Sequence, residues 1–402
     1  MMQDNDMCSQ SSTQCVFMLD LPNEILLHIC SFLDAKTLVN CLSLVCKKFY
    51  EILNDELFWK VRIGQICPNS VYPILPPVGN DEVFWKKSCS AIERQSYLWK
   101  TEGSYEKLVL TDVQYSTIDG LLLLKEGKIC ISGARDRSLV CWNISSSNGR
   151  RQRSCISFAH EGWIWDLTAI NDTIYSCSWD QCIKAWHLGY TDLQHLETYK
   201  TFVSSALLCI DSCEETRLIS TGSFCSAVLI YDSRGDGQTT IAKYYAHNGA
   251  VVDIAMNSTY IVTASEDKTV AIWDQRAQKT MKKIQISEAC FPMSLCMKDN
   301  IVLIGDSNAN ITILDPRKNF EKVKHCQSSH GRGITGIHLS RGCLVTSSTD
   351  RTAKILTPTD PPQYITTVKC SYGEIAGIDF LNEVLAISGC EAIEIWRPKT
   401  DV

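Results

Sequence analysis

The stretch AHNGAVVDIAMNSTYIVTASEDKTVAIWD, residues 246–274, decides the fold of this chain. It contains three short runs rich in apolar and β-branched residues: Val251–Ala255, Tyr260–Ala264 and Thr269–Trp273. Runs of this length and composition are typical of half-buried β-strands. Ser265–Lys268, between the second and third runs, has the composition of a tight turn. His247 precedes Asp267 of that turn by 20 residues, and Trp273 follows it by 6.

The same spacing recurs along the chain. His160 precedes Asp180 by 20 residues, and Trp186 follows that aspartate by 6. With weaker copies included, seven repeats end at intervals of 40 to 45 residues, at positions 142, 186, 231, 273, 314, 356 and 396. A period in this range that ends in Trp-Asp is the sequence signature of WD40 propeller blades. The sequence therefore predicts a mainly β fold, with a seven-bladed WD40 β-propeller over residues 104–398.

The last repeat is one strand short. The chain ends six residues after Trp396, which leaves no room for a fourth strand. Glu106–Thr111, just before the first repeat, has the length and composition of a strand. We expect it to pair with the last repeat and close the ring.

Polar residues of two repeats resemble the hydrogen-bonded tetrad of WD40 blades. In that family the turn aspartate bonds the histidine ring, and the network ends at the tryptophan indole nitrogen. The resemblance implies that the two tetrads are His160, Ser178, Asp180 and Trp186, and His247, Ser265, Asp267 and Trp273. Each unpaired buried polar group costs about 1–3 kcal/mol, so these residues are interpreted as structural rather than catalytic. His330 and Asp350 are interpreted in the same way.

Composition excludes several classes of function. The net charge of −6 over 402 residues does not favour wholesale binding of nucleic acid or of an anionic membrane. The polar N-terminus carries no secretory signal, and no apolar run approaches the length of a membrane span. The 21 cysteines include no Cys-x-x-Cys pair, so we expect reduced thiols and neither a metal site nor a cofactor. These features predict a cytoplasmic or nuclear protein.

A helical module precedes the repeats. Residues 1–16 are polar and are interpreted as a disordered tail, and residues 17–63 carry apolar positions at the spacing of three short helices. The pattern Leu21-Pro22-x-Glu24-Ile25-Leu26, then Ile29, Leu33-Asp34, Leu38, Leu44–Lys48 and Leu57-x-Trp59 resembles an F-box. The apolar positions exceed what three short helices can bury among themselves, so some are candidates for an interface.

An F-box followed by WD repeats resembles the F-box/WD-repeat family. The resemblance implies the substrate-recognition subunit of an SCF-type (Skp1–cullin-1–F-box) ubiquitin ligase, in which the F-box docks Skp1 and the propeller binds the substrate protein. The residues that it assigns to Skp1 binding are Leu21, Pro22, Ile25, Ile29, Leu33, Leu38, Leu44, Val45 and Trp59. The chain itself would not be an enzyme. It would raise the effective concentration of substrate lysines near a charged ubiquitin carrier.

Residues 64–103 connect the two parts. Pro68–Pro77 is proline-rich and therefore stiff and extended. Asp81–Leu98 has the apolar periodicity of a helix. This linker is expected to hold the two parts at a fixed geometry, although a helix that simply covers the underside of the propeller has the same pattern.

The recognition face is expected where the turns converge. Its candidate residues, most of which flank turn aspartates, are Arg135, Arg137, Trp165, Trp179, Lys268 and Arg351. Surfaces with arginine and aromatic residues favour protein recognition, and arginine forks fit carboxylate or phosphate. An acidic or phosphorylated peptide is therefore one expected ligand. Asp-Arg-Thr turns also occur in repeats that bind nothing acidic, and Glu266 and Glu391 interrupt the basic arc.

An enzyme and a scaffold are the two rival functions. An enzyme is disfavoured, because the sequence has no Gly-rich phosphate loop, no His-Glu-x-x-His and no Gly-x-Ser-x-Gly. A non-catalytic WD40 scaffold that binds Skp1 or other partners without delivering substrates stays open, since fold does not specify function.

Overall fold

The structure is a computed structural model that describes residues 21–68, 70, 83–145, 151–189, 192–235, 240–298 and 301–399. The expected tail and almost all of the proline-rich segment lie outside these residues. In the described part of the chain, a group of helices precedes 28 β-strands. No helix in this part is long and apolar enough to cross a bilayer.

Four short helices form the N-terminal unit. They are α1 (Asn23–Ser31), α2 (Ala35–Asn40), α3 (Lys47–Asn54) and α4 (Glu56–Ile66), with a 3-10 helix (Leu42–Leu44) between α2 and α3. Two aspartates cap them, because Asp34 accepts a hydrogen bond from the Thr37 amide at 2.7 Å and Asp55 accepts one from the Leu57 amide at 2.9 Å. Leu26, Leu38, Phe49, Leu53 and Trp59 form the core of this unit.

A longer helix, α5 (Phe84–Lys100), follows the proline-rich segment. The predicted helix over Asp81–Leu98 therefore forms, and its first two positions lie outside the described residues. Cys89 and Ile92 of α5 pack into the core of the N-terminal helices. The helix thus belongs to that unit while its C-terminal end leads into the propeller.

Seven four-stranded antiparallel sheets form the blades of a ring, as predicted. From the inner to the outer strand, blades 1 to 3 contain β2 (Ile118–Leu124), β3 (Ile129–Ala134), β4 (Leu139–Asn143) and β5 (Gln152–Ile156); β6 (Ile164–Ile170), β7 (Thr173–Ser178), β8 (Cys182–Leu188) and β9 (Leu193–Lys200); β10 (Leu207–Cys213), β11 (Leu218–Ser223), β12 (Ala227–Asp232) and β13 (Thr240–Tyr245).

The remaining blades follow the same order. Blades 4 to 6 contain β14 (Val251–Met256), β15 (Tyr260–Ser265), β16 (Thr269–Asp274) and β17 (Lys279–Gln285); β18 (Pro292–Lys298), β19 (Ile301–Asp306), β20 (Asn310–Asp315) and β21 (Glu321–Gln327); β22 (Ile334–Leu339), β23 (Leu344–Ser348), β24 (Thr352–Leu356) and β25 (Tyr364–Lys369). Blade 7 contains β26 (Gly377–Leu381), β27 (Val384–Ser388), β28 (Ile393–Pro398) and the N-terminal strand β1 (Tyr105–Leu110).

Strand β1 closes the ring. It pairs antiparallel with β28 over its whole length, with Tyr105 opposite Pro398 and Leu110 opposite Ile393. The strand predicted at Glu106–Thr111 therefore forms one residue earlier and supplies the missing outer strand of blade 7. Because the first strand of the propeller completes the last blade, both ends of the ring are held by one sheet.

A β-bulge near the start of six inner strands determines what faces the centre of the ring. The residues skipped by the pairing register are Asp119, Trp165, Leu208, Val252, Met293 and Thr335. A bulge leaves one residue unpaired and re-aims its side chain. All six side chains line one depression at the centre of the ring, as described below.

Inner-strand aspartates connect neighbouring blades. Asp166, Asp211, Asp253 and Asp379 each accept a backbone N–H from the inner strand of the next blade, at distances of 2.9, 2.8, 2.5 and 2.6 Å respectively. Desolvation in the narrow centre of the ring raises the pKa of Asp166 to about 7 and that of Asp211 to about 6. These carboxylates, which no sequence pattern indicated, link neighbouring blades.

Candidate functional site

Burial divides the residues assigned to Skp1 binding. Leu44 and Val45 are 77% and 68% exposed, and Pro22 and Ile25 are also exposed. Leu21, Ile29 and Leu33 are half-buried. The structure thus leaves most of the assigned set, although not all of it, available to a partner.

Leu38 and Trp59 are corrections to that set, because both are buried. The Trp59 indole N–H donates to the Leu53 carbonyl oxygen at 2.8 Å, which satisfies the ring's polar atom inside the core. Helices this short need their largest apolar side chains to form a core, so these two residues stabilise the unit from within. They cannot touch a partner without unfolding.

Other exposed apolar residues were missing from the assigned set. Phe32 is 76% exposed, and Tyr50, Leu57 and Val61 are also exposed. Helix α4 is apolar around most of its circumference, so its sequence does not show which side faces inward. Together with Ile25, Leu44 and Val45, these side chains give the N-terminal unit an exposed apolar surface.

Helix α5 is tied to the N-terminal helices by a partly buried ion pair. The Arg62 guanidinium donates to Glu93 Oε1 at 2.5 Å, and the Ala35 amide donates to Glu93 Oε2 at 2.7 Å. Arg62 also donates to the carbonyl oxygens of Cys30 and Leu33 at 3.0 and 2.5 Å. One arginine therefore joins α4 and α5 to the end of α1.

The same helix is tied to the propeller. Arg94 forms a two-point ion pair with Glu383, which lies between β26 and β27, at 2.5 and 2.9 Å. The Trp99 ring stacks on Tyr105 of β1 with centroids 3.9 Å apart. Gly342 allows close approach, since a Cβ there would lie 2.6 Å from the Ala91 carbonyl oxygen. These contacts fix α5 against blades 6 and 7.

Blade 2 holds a complete tetrad, but its hydroxyl differs from the predicted one. His160 Nδ1 lies 2.8 Å from Asp180, and His160 Nε2 lies 2.7 Å from Ser176 Oγ. The Trp186 indole N–H donates to the same Ser176 oxygen at 2.8 Å. Ser178 lies at the end of β7, beside the turn, where its hydroxyl accepts the Asp180 amide at 3.1 Å. The tetrad prediction was therefore wrong at Ser178.

In blade 4 the histidine likewise contacts a hydroxyl two residues before the predicted serine. His247 Nε2 lies 2.8 Å from Thr263 Oγ1, and His247 Nδ1 lies 3.3 Å from Asp267. The predicted Ser265 instead accepts the Asp267 amide at 3.1 Å. Trp273, the predicted end of the network, stacks on Tyr244 with ring centroids 3.9 Å apart.

Two further blades have partial or altered networks. In blade 6, His330 contacts Asp350 and Thr346, each at 3.0 Å. In blade 1, Gln114 takes the place of the histidine, because Ser132 Oγ donates to Gln114 Oε1 at 2.6 Å and accepts the Trp142 indole N–H at 2.8 Å. The histidine spacing gives no sign of Gln114, whereas a serine 10 residues before the tryptophan is a usable sequence signal.

The pKa shifts of the histidines and aspartates in these networks fit a structural role. Burial lowers the pKa of His160, and the hydrogen bond with Asp180 offsets only part of that effect. Burial alone would raise the pKa of Asp350, but hydrogen bonds from Thr352, Gly331 and His330 lower it to about 2. A neutral imidazole beside a carboxylate, both held by further hydrogen bonds, is a stable pair. Within the described residues, no group of three or more His, Cys, Asp or Glu could hold a metal ion.

A depression of about 600 Å³ opens at the centre of the ring, and we call it the propeller mouth. Its walls include the six bulge residues. In five blades, the residue directly before the turn aspartate, or before the residue that replaces it, also lines the mouth. These residues are Arg135, Trp179, Phe224, Glu266 and Thr349. The sequence-predicted residues Arg135, Trp165 and Trp179 are thus brought together.

The other three predicted recognition residues lie on the far side of their turns. Arg137, Lys268 and Arg351 have positive φ angles of 73°, 67° and 68°. The Arg137 guanidinium lies over the Phe158 ring at 5.0 Å, and Lys268 Nζ donates to the Glu288 carbonyl oxygen at 2.6 Å. None of the three lines the propeller mouth as far as the structure describes it. These three residues therefore lie outside the mouth, and their part in substrate binding elsewhere on the propeller face stays a prediction.

Trp165 and Trp179 of blade 2 form one wall of the mouth, and Trp163 packs against both rings. Trp179 lies 5.3 Å from Trp163 and 5.6 Å from Trp165, measured between ring centroids, and Phe224 of blade 3 lies 6.5 Å further on. Trp163, Trp179 and Phe224 keep 42%, 43% and 58% of their surface exposed. Trp163 was missing from the prediction, although it lies two residues before Trp165.

The charge of Arg135 is already neutralised. Its guanidinium donates twice to Asp119, at 2.8 and 2.9 Å, and lies over the rings of Trp163 and Trp165 at 5.5 and 5.0 Å. Hydrogen bonding to Asp119 raises the pKa of Arg135. The one arginine in the described wall of the mouth is therefore part of an internal ion pair rather than a free anion-binding fork.

Comparisons with known proteins agree with this architecture. Residues 18–62 match the F-box-like family, and residues 153–187 and 238–274 match the family described as WD domain, G-beta repeat. The chain is 30% identical to F-box/WD repeat-containing protein 9 of Homo sapiens and of Bos taurus, over 94% of this chain and 82% of each relative. It is 28% identical to F-box/WD repeat-containing protein mec-15 of Caenorhabditis elegans, over 74% of this chain and 75% of that protein.

The fold also matches a solved propeller. The crystal structure of RRP9 WD40 repeats superposes with a TM-score of 0.65 at 15% identity, and the match covers 73% of this chain and 98% of that one. This likeness concerns the fold alone. The F-box-like match, the repeats and the identity over nearly the whole chain show that this chain belongs to the F-box/WD repeat-containing protein family.

Proposed function

We propose that this chain is the substrate-recognition subunit of an SCF-type ubiquitin ligase. Its N-terminal helices dock Skp1 and, through Skp1, cullin-1, and its propeller binds the protein to be modified. The chain catalyses nothing itself, since ubiquitin transfer belongs to other subunits. The free thiols of the 19 described cysteines are compatible with action in the cytosol or the nucleus, both of which are reducing compartments.

The observation that carries the proposal is the exposed apolar surface of the N-terminal helices. Ile25, Phe32, Leu44 and Val45 are exposed although the same helices bury a complete core. A small unit that satisfies its own core has no structural need for these side chains. Exposed apolar surface of this kind marks a site of protein interaction.

The second support is the brace between the two parts. Helix α5 forms ion pairs with both the N-terminal helices and the propeller, and its Trp99 ring stacks on Tyr105 of the propeller. A fixed distance between two binding surfaces keeps the effective concentration of one partner near the other high. This is what a receptor needs if it is to present a bound protein to a ligase core.

Co-purification from cells with the proteasome inhibited tests the proposal. Deleting the F-box would also expose Cys89 and Ile92 of α5, so a point variant is cleaner. Leu44→Asp places a charge on the exposed apolar surface, and Leu196→Asp makes the same change at an exposed leucine of the propeller. We expect Skp1 and cullin-1 with the native chain and with Leu196→Asp, and neither with Leu44→Asp. If the native chain retains neither subunit, the scaffold function becomes the better account.

A further inference from the structure

We infer that the propeller mouth binds a peptide segment that carries an arginine or lysine side chain, rather than an acidic or phosphorylated one. The inference rests on the proposed function, because it names the chemistry of the protein that the receptor would select. It follows from three features of the mouth: the balance of its charges, the arrangement of its aromatic rings, and the arginine that already occupies part of it.

The charges of the mouth favour a cation. Four charged residues line its described wall: Asp119, Arg135, Glu266 and Glu374. Asp119 neutralises Arg135, and Glu374 forms an exposed ion pair with Arg332 at 3.0 Å. Glu266 is exposed and forms no ion pair with any residue that the structure describes. One carboxylate in the wall of the mouth is thus left uncompensated, and it would repel an anionic ligand.

The aromatic rings lead to that carboxylate. The residues that precede the turns of blades 2, 3 and 4 are Trp179, Phe224 and Glu266, so two exposed rings and a free carboxylate follow one another around the mouth. Tryptophan is the strongest aromatic partner for a cation, and a long aliphatic stem packs on such rings while its charged end reaches a carboxylate. Arginine and lysine have this combination of stem and charge.

Arg135 shows that these rings accept a guanidinium. Its charged group lies over Trp163 and Trp165 while Asp119 holds it from the side. Trp179 and Phe224 continue the same wall without a cation of the described chain over them. A ligand arginine over Trp179 with its fork toward Glu266 would repeat the internal arrangement one blade further around the ring.

The remaining basic candidates do not change this balance. Arg137 packs on Phe158, and Lys268 donates to a backbone carbonyl on the outer side of its turn. Arg351 is exposed but does not line the described mouth. These three basic residues therefore lie outside the depression, whose charged lining residues besides the Asp119–Arg135 pair are two glutamates.

Selection from a library tests the inference. The immobilised full-length chain is offered a phage-displayed library of random short peptides, and enriched peptides are then synthesised with a fluorophore. We expect enrichment of arginine or lysine beside apolar residues. Trp179→Ala should weaken binding of a selected peptide by on the order of tenfold. Glu266→Gln should weaken it by up to about fivefold, and replacing the basic residue of the peptide by glutamate should abolish binding.

Matched controls locate the effect. Glu391→Gln removes an exposed carboxylate from another turn, and Phe202→Ala removes an exposed ring outside the mouth, so neither should change the affinity. Enrichment of acidic peptides, no enrichment, or equal binding to Trp179→Ala and native chain would each overturn the inference. None of these outcomes bears on Skp1 binding, which the co-purification measures separately.

Discussion

Glu93 and Arg94, consecutive residues of α5, form ion pairs with opposite halves of the molecule. Glu93 accepts hydrogen bonds from Arg62 and from the Ala35 amide in the N-terminal helices. Arg94 pairs with Glu383 of blade 7. Because consecutive residues of a helix point about 100° apart, one turn of α5 contacts both the F-box unit and the propeller. The helix therefore acts as a brace rather than a flexible tether.

Removing the propeller side of the brace should loosen it. Arg94→Ala is expected to lower the free energy of unfolding by about 1 kcal/mol or less, because the pair is partly exposed. Hydrogen exchange of the α5 amides should become faster. Lys128→Ala, which removes an exposed pair within the propeller, is the control and should leave α5 unchanged. Equal exchange in native chain and Arg94→Ala would contradict a bracing role.

Substituting a buried and an exposed leucine of the F-box should distinguish an effect on stability from an effect on Skp1 binding. Leu38→Ala creates a cavity in the helical core and should cost about 2–5 kcal/mol. Leu44→Ala changes an exposed side chain, so its effect on unfolding should stay within about 0.5 kcal/mol while Skp1 affinity falls. Urea unfolding and titration calorimetry measure the two quantities. A stable Leu44→Ala variant with native affinity would remove Leu44 from the interface.

The corrected tetrad predicts which serine of blade 2 matters more. Ser176→Ala leaves His160 Nε2 and the Trp186 indole without their partner, and should cost about 2 kcal/mol or more. Ser178→Ala leaves one backbone amide unpaired and should cost about 1 kcal/mol. Chemical unfolding of the two variants decides between them. A larger loss for Ser178→Ala would restore the tetrad originally expected from the sequence.

The inner-strand carboxylates predict a pH dependence of stability. Asp166 has a pKa of about 7 in the folded protein, against about 4 in the unfolded chain. Between these values the folded state binds more protons, so the stabilisation is complete below about pH 4 and is lost as pH rises through 7. The tetrad histidines have lowered pKa values and act in the opposite direction. Their contribution to the stability of the fold is lost as pH falls below about 6.5.

Asp166→Asn isolates the first of these effects. Between about pH 4 and 7, its free energy of unfolding should fall less steeply with pH than that of the native chain, by up to about 1.4 kcal/mol per pH unit. Urea unfolding at a series of pH values measures both slopes. Parallel curves for native chain and Asp166→Asn would show that this carboxylate does not titrate on folding.

Sequence periodicity predicted the ring because every blade must bury the same positions. The spacing of His, Asp and Trp gave the blade number, and the short last repeat gave the closure by β1. Periodicity could not show whether Ser176 or Ser178 belongs to the tetrad, since residues two apart on a strand face the same side. Local spacing also carries no sign of which turn residues adopt a positive φ, as Arg137 and Arg351 do, and neither of these two residues lines the described mouth.

Burial in the F-box was harder to predict than its presence. The motif identifies the residues of the helices, but α4 carries apolar residues on several sides, so Trp59 and Leu57 could not be assigned inward or outward from the pattern. The charge of the mouth could not be predicted from the sequence either. Arg135 counted as a free cation in the sequence, whereas the bulge at Asp119 brings a carboxylate to its side.

Docking of Skp1 on the N-terminal helices is tested most directly with purified proteins. The full chain is mixed with Skp1 and cullin-1 and separated by size-exclusion chromatography with light scattering. We predict that the native chain and Leu196→Asp elute in one complex with both subunits, and that Leu44→Asp elutes apart from them as a folded protein. Separate elution of the native chain, or a complex that Leu44→Asp leaves intact, would contradict the proposed role of this surface.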